Sequence, residues 1–357
     1  MNHQRVLPAL LGLFLGGCIA TQALAHPGHG APEPEPEASE PTADTPAITH
    51  RQRSPHQRQE DRRHQRRGPG HPMTAIDLPP PAVSISIEGK KRVIRANGLP
   101  GHETGTFPNP GNPNALRPQS HEFTLPLVPT IAGEPIPARP EFGIAINGVV
   151  FDAGTGEFWT PQHDRAFGGG SPWNYEALGG GVPLGLDRNN AHVQPTGKYH
   201  YHGLPTGLVE RLTEGHGGDT MVLIGWAYDG FPIYAARGHA DAGDPASPVR
   251  RLRSSYRLKD GHRPDRPEGP GGPYDGTFGL DYEYIEGHGD LDECNGRYGV
   301  TPEFPHGTYY YVITAEFPSV PRVWRGEPDE SVHRRGPGSG PTNEDPPDNR
   351  QRRSPRP

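Results

Sequence analysis

Apolar and polar positions along this chain alternate with a period of two in short runs, and the runs are bounded by glycine, proline and asparagine. Val83-Ser84-Ile85-Ser86-Ile87 and Arg92-Val93-Ile94-Arg95 flank Gly89, a pattern that predicts a hairpin. His121 to Leu127 and Phe142 to Ile146 predict further strands, and Asn147-Gly148 before Val149-Val150-Phe151 predicts a two-residue hairpin turn. Met221 to Ala227 is an unbroken apolar run that reads as a buried central strand, ending at Asp229-Gly230. Ser254 to Leu258, Tyr282 to Ile285 and Tyr309 to Thr314 supply more strands. No helical period is sustained for three or four turns. Glu176 to Leu178 and Val209 to Leu212 predict single turns. The fold expected is mainly β, a sandwich or barrel-like set of antiparallel sheets with long irregular loops rich in glycine and proline.

Composition sharpens the domain boundaries. The chain has 49 glycines and 46 prolines in 357 residues, and the excess lies towards the two ends. Residues 26–81 hold an acidic, proline-alternating piece and then an arginine-rich one, and residues 327–357 are again polar and proline-rich. Neither stretch has an apolar period that could bury a core, so both are expected to be disordered around a domain at 82–326. At the start, a basic Met1–Arg5, an apolar Val6–Gly17 and Ala23-Leu24-Ala25 predict a secretory signal peptide over residues 1–25 and a periplasmic or extracellular protein. That apolar run is too short to span a bilayer. Leu15-Gly16-Gly17-Cys18 also fits a bacterial lipobox, which makes a lipid anchor at Cys18 the alternative. Cys18 and Cys294 are the two cysteines; either cleavage leaves Cys294 without an intramolecular disulfide partner. No nucleic-acid partner is expected, because no aromatic residue interleaves the arginine-rich run to stack on bases.

The strongest chemical signal is Asn190-Ala191-His192-Val193-Gln194-Pro195-Thr196-Gly197-Lys198-Tyr199-His200-Tyr201-His202. Pro195-Thr196-Gly197 has the composition of a tight hairpin loop. Setting Gln194 opposite Lys198 places His192 opposite His200 and Asn190 opposite His202, and the period of two puts His200 and His202 on one face. Three imidazoles at this register can reach one metal ion at about 2.0–2.1 Å. A one-residue slip would turn His192 to the other face. The competing reading makes them hydrogen-bonded residues of an aromatic, polar core alternating with Tyr199 and Tyr201. Walker, G-x-G-x-x-G, H-E-x-x-H and G-x-S-x-G motifs are absent.

Leu186-Asp187-Arg188-Asn189-Asn190-Ala191-His192-Val193-Gln194-Pro195, Tyr199-His200-Tyr201-His202-Gly203, Asp229-Gly230-Phe231-Pro232-Ile233-Tyr234 and Leu291-Asp292-Glu293-Cys294-Asn295-Gly296 together resemble the YHYH domain family over about residues 141–327. The resemblance implies an exported bacterial domain and no particular reaction. Family members often carry histidine in the late aromatic strand, where this chain has Tyr309-Tyr310-Tyr311. From the motif pattern, Cys294, Glu293, Asp292 and Asp229 are candidate fourth ligands beside the three histidines. A thiolate would suit copper or zinc, and a carboxylate or water zinc or iron. Asn189 and Asn190 are candidate acceptors for imidazole N–H groups. Three functional classes follow: a transition-metal-binding domain, a metal-dependent hydrolase or oxidase (or a Cys294 nucleophile without metal), and a non-catalytic structural or adhesion module.

Overall fold

A computed structural model describes residues 78–138, 141–215 and 219–334. The signal peptide, the Cys18 lipid anchor, most of the arginine-rich linker and the end of the C-terminal tail lie outside the described residues. The fold is mainly β, as the alternation predicts, and no sheet closes into a barrel. The first hairpin pairs Val83–Glu88 with Lys91–Ala96, and His121–Pro126 joins it to form a three-stranded antiparallel sheet. The main sheet has eight strands in the order Gly296–Gly299, Thr308–Val312, Pro232–Tyr234, Leu223–Ala227, Glu141–Ala145, Val150–Asp152, Tyr199–Tyr201 and Ala191–Val193. It is mixed: Tyr199–Tyr201 runs parallel to Val150–Asp152, and Thr308–Val312 runs parallel to Pro232–Tyr234. Among the described residues the α-helices are Thr206–Leu212 and Glu330–Arg334, the first longer than the single turn expected at Val209 to Leu212, and Gly279–Asp281 is a 3-10 turn. No helix appears at Glu176 to Leu178.

The order of the main sheet reveals an internal repeat. Gly143-Ile144-Ala145-Ile146-Asn147-Gly148-Val149-Val150-Phe151-Asp152-Ala153 aligns without a gap on Gly225-Trp226-Ala227-Tyr228-Asp229-Gly230-Phe231-Pro232-Ile233-Tyr234-Ala235. Each segment is a hairpin whose turn closes identically, by Gly148 N–H to the Ala145 carbonyl and Gly230 N–H to the Ala227 carbonyl, both at 2.9 Å. Later in each half, Leu186-Asp187-x-x-Asn190 and Leu291-Asp292-x-x-Asn295 form the same turn, with asparagine at φ 53° in both. The N–H of Asp187 donates to Ala191 and that of Asp292 to Gly296, at 2.8 Å each. A strand pair follows in both halves, so Tyr199-His200-Tyr201 corresponds to Tyr309-Tyr310-Tyr311. The halves meet through Leu223–Ala227 and Glu141–Ala145, where Trp226 faces its own counterpart Ile144. Ile146 donates to Ile224 at 2.9 Å, and Tyr228 reciprocates to Phe142 at 3.1 Å. A Cβ on Gly143 or Gly225 would stand 2.5 or 2.4 Å from the facing carbonyl oxygen, so the central pairing requires glycine on both sides.

Burial of apolar surface holds the halves together. Phe142, Ile144, Phe151, Tyr201, Ile224, Ile233 and Tyr311 share one core with Ile94, Phe123 and Leu125 of the three-stranded sheet. Each such aliphatic or aromatic side chain contributes roughly 1.5–3 kcal/mol. The turn glycines abut that smaller sheet: a Cβ at Gly148 would meet Ala96 Cβ at 2.3 Å, and one at Gly230 would meet the Pro126 oxygen at 2.4 Å. Residues 327–332, which composition places in a tail, reach the body. Asp329 pairs with Lys91 and Val332 is buried in the core.

Candidate metal centre

The predicted histidine hairpin forms in the predicted register. Gly197, at φ 89°, closes the loop with its N–H on the Gln194 carbonyl at 2.8 Å, and Gln194 N–H donates to Lys198 at 2.9 Å. His192 then stands opposite His200, and His202 N–H reaches the Asn190 carbonyl at 2.7 Å. Alternation sends Tyr199 and Tyr201 to the other face. There Tyr199 donates to Asp187 Oδ2 at 2.6 Å, while the Tyr201 hydroxyl meets His102 Nε2 at 2.6 Å and Asn147 Nδ2 at 2.9 Å. These bonds anchor the strand from behind, which fixes the direction of His200 between the two tyrosines.

The three rings pack at centroid separations of 4.7, 5.0 and 4.6 Å, and one nitrogen from each lies within 4.8 Å of the others. His200 and His202 are buried, His192 partly so. His192 Nδ1 lies 2.8 Å from the Leu184 carbonyl, which can only accept, and 3.1 Å from Asn112 Nδ2, which can only donate; the shorter contact favours a proton on Nδ1 and a lone pair on Nε2. That Nε2 faces His202 Nε2 at 3.1 Å. Two nitrogens about 2.0–2.1 Å from one tetrahedral ion stand roughly 3.3 Å apart, so the facing pair matches the span of a shared cation. Burial disfavours the imidazolium form at all three, and at His200 and His202 the neighbouring rings would add repulsion between like charges. All three are thereby held in the neutral, liganding state. Asn189 and Asn190 do not serve the rings. Asn189 Oδ1 accepts from Gly207 N–H at 2.8 Å and its Nδ2 donates to the Glu103 carbonyl at 2.9 Å, while Asn190 Nδ2 donates to the Leu204 carbonyl at 3.0 Å.

The other candidate ligands are gathered elsewhere. Among the described residues the metal-sized group consists of His192, His200 and His202. Asp292, Glu293 and Cys294 occupy the turn of the second half, next to the opposite edge strand of the main sheet. Cys294 is free and buried, its thiol pushed up to about 12 by burial and by Asp292 and Glu293, so it stays protonated. Glu293 is exposed. Asp292 accepts from the Tyr309 hydroxyl at 3.0 Å and from Cys294 N–H at 3.0 Å. Asp229, in the second hairpin turn, accepts from Tyr311, from Gly326 N–H at 2.9 Å and from Phe231 N–H at 3.2 Å. Burial lifts its carboxyl to about 6. The shared Leu-Asp-x-x-Asn pattern and the gapless hairpin match were the signals that these motifs belong to the second copy of the unit.

A family model described as YHYH protein matches residues 122–326, more than half of the chain. The chain belongs to the YHYH family. No curated protein and no solved structure matches it. The YHYH signature itself is the strand Tyr199–Tyr201 with His202. Its alternation divides the work: tyrosines lock the strand to Asp187, His102 and Asn147, and histidines converge on the opposite face. No helix among the described residues is long and apolar enough to cross a membrane.

Proposed function

We propose that this YHYH protein is exported and binds one transition-metal ion through His192, His200 and His202. The observation that carries the reading is the meeting of the His192 and His202 Nε2 atoms at 3.1 Å, with the Leu184 carbonyl favouring the proton of His192 on Nδ1 and His200 beside them. The charged N-terminus and Ala23-Leu24-Ala25 support export. Three neutral imidazoles suit zinc or copper, with iron third. A bound ion with a free coordination position would supply Lewis acidity or, for copper, redox chemistry, which is the basis for a hydrolase or oxidase activity. The protein's own part is to hold three rings neutral and fixed. The same 3.1 Å contact also supports a second reading, a structural core in which one imidazole donates N–H to the other.

Metal content of the purified protein, offered zinc, copper and iron in turn, separates the two. The metal reading expects about one ion per chain in wild type, none in His200→Ala, and full loading in Tyr201→Phe, whose hydroxyl lies on the far face. A wild-type protein that retains none of the three metals is a histidine core.

A further inference from the structure

The three-stranded sheet has an open edge. Val83–Glu88 pairs on one side with Lys91–Ala96 and, among the described residues, with no strand on the other. The hydrogen bonding decides which backbone groups that edge presents. Asn97 N–H donates to the Ala82 carbonyl at 3.0 Å, and bonded pairs in an antiparallel ladder recur at every second residue. Ser84, Ser86 and Glu88 therefore turn their N–H and C=O groups inward, to Arg95, Val93 and Lys91. Val83, Ile85 and Ile87 turn theirs outward. The next ladder agrees: Leu127 N–H donates to the Lys90 carbonyl at 3.0 Å, which assigns Arg92, Ile94 and Ala96 to the far side of their strand.

The same three residues expose apolar side chains, Val83 by 43%, Ile85 by 42% and Ile87 by 67%. They share a face with Ile94 and Ala96, which are buried, so the apolar face of the sheet runs uncovered to its edge. Edge strands are ordinarily guarded by a bulge, a proline or a charge. Here the pairing is unbroken from Val83 to Glu88, no proline or charge stands between Val83 and Ile87, and Glu88 is held by Arg95 at 2.9 Å. The opposite edge strand, His121–Pro126, carries Glu122 and ends on proline.

We infer that this edge pairs with the same edge of a second copy of the chain, antiparallel about a two-fold axis through Ile85. Val83-Ser84-Ile85-Ser86-Ile87 alternates identically from either end, so the strand is complementary to itself. In that register Ile85 faces Ile85 of the second copy, Val83 faces Ile87 and Ser84 faces Ser86. Every outward N–H and C=O of the three apolar residues then finds a partner, and apolar side chains meet apolar ones. Glu88 falls opposite Ala82, so no like charges confront each other. An axis through Ser86 would leave Val83 facing Gly89, and an axis between two residues would set outward groups against inward ones. Three apolar side chains per copy make a smaller contact than the roughly 800 Å² per partner of a standard stable complex. The dimer is therefore weak and reversible, with a Kd on the order of 10–100 µM.

Sedimentation velocity of the mature chain from about 5 to 500 µM, which brackets that range, tests the pairing. A chelator is kept present so that no metal links the copies, which separates this inference from the metal reading. Monomer should pass to dimer across the series. Ile85→Lys sets two ammonium groups against each other on the axis and should weaken the dimer at least about tenfold; Ile87→Lys, at the most exposed of the three positions, should weaken it too and serves if the first variant fails to fold. Cysteine variants test the register. Residues bonded across the axis have Cα atoms about 5.5 Å apart, within disulfide reach, whereas the two Ile87 residues are offset by four positions, about 14 Å. Mild oxidation should therefore give a covalent dimer of Ile85→Cys and not of Ile87→Cys. A chain that stays monomeric throughout, a dimer undiminished by both lysine variants, or equal cross-linking of the two cysteine variants would overturn the inference.

Discussion

In the first half of the main sheet, register positions 192, 200 and 202 carry histidines; in the second half the same positions carry Arg297, Tyr310 and Val312. The backbone plan is shared down to individual hydrogen bonds, yet the second half fills the site with its own side chains. Arg297 donates to the Tyr310 hydroxyl at 2.6 Å and to the His239 carbonyl at 2.6 Å. Where one half brings two ring nitrogens face to face, the other joins a guanidinium to a phenol hydroxyl. The turn-and-strand frame therefore accepts either set of side chains at these three positions, and the histidine cluster belongs to one half alone.

The largest effect expected is on stoichiometry. His200→Ala should remove all bound metal, as elemental analysis would show, whereas Tyr310→Ala should leave the metal in place and cost about 3–5 kcal/mol in denaturant unfolding as a buried ring is lost. The comparison sharpens further if the second half is converted. Arg297→His, Tyr310→His and Val312→His together should raise the content from about one ion to about two per chain. A cooperatively folded triple variant that still takes one ion would show that register alone does not make the site.

The two hairpin turns differ by one atom type, Asn147 in the first and Asp229 in the second. Asp229→Asn replaces a carboxylate that receives only donors, and should cost about 1–3 kcal/mol. Burial raises the Asp229 carboxyl to about 6, above its unfolded value of about 3.9. Between those values the folded state holds the extra proton, so this group's contribution to stability falls as pH rises through the window. The advantage of wild type over Asp229→Asn should accordingly shrink from pH 4 to pH 6, which paired urea titrations would reveal. The smallest effect concerns metal release. Burial lowers the histidine values, so the neutral ligand form persists below the ordinary 6.5, and dialysis at falling pH should release metal with a midpoint under that value.

Much of this was legible in the chain because it is local. Pro195-Thr196-Gly197 fixes the register within a dozen residues, and register fixes the face, so the three-histidine cluster needed no long-range knowledge. Asn147-Gly148 and Gly89 marked their turns for the same reason. The assignment of Asp229, Asp292, Glu293 and Cys294 to the same centre rested on motifs occurring together. Their common cause is a repeated turn, with Asp187 and Asp292 each accepting a tyrosine hydroxyl. Glu176 and Arg322 lie 146 positions apart, and no spacing rule connects them; their ion pair is made by segments that meet only in space.

The pairing of Leu223–Ala227 with Glu141–Ala145 is reciprocal. Each half offers at its first strand an edge that is complementary to itself, because the residue it presents at the axis meets its own equivalent. That is the defining property of an isologous homodimer interface. The main sheet is thus organised like a two-fold dimer joined within one polypeptide, in which one half carries histidine at the three register positions and the other fills them with packing side chains.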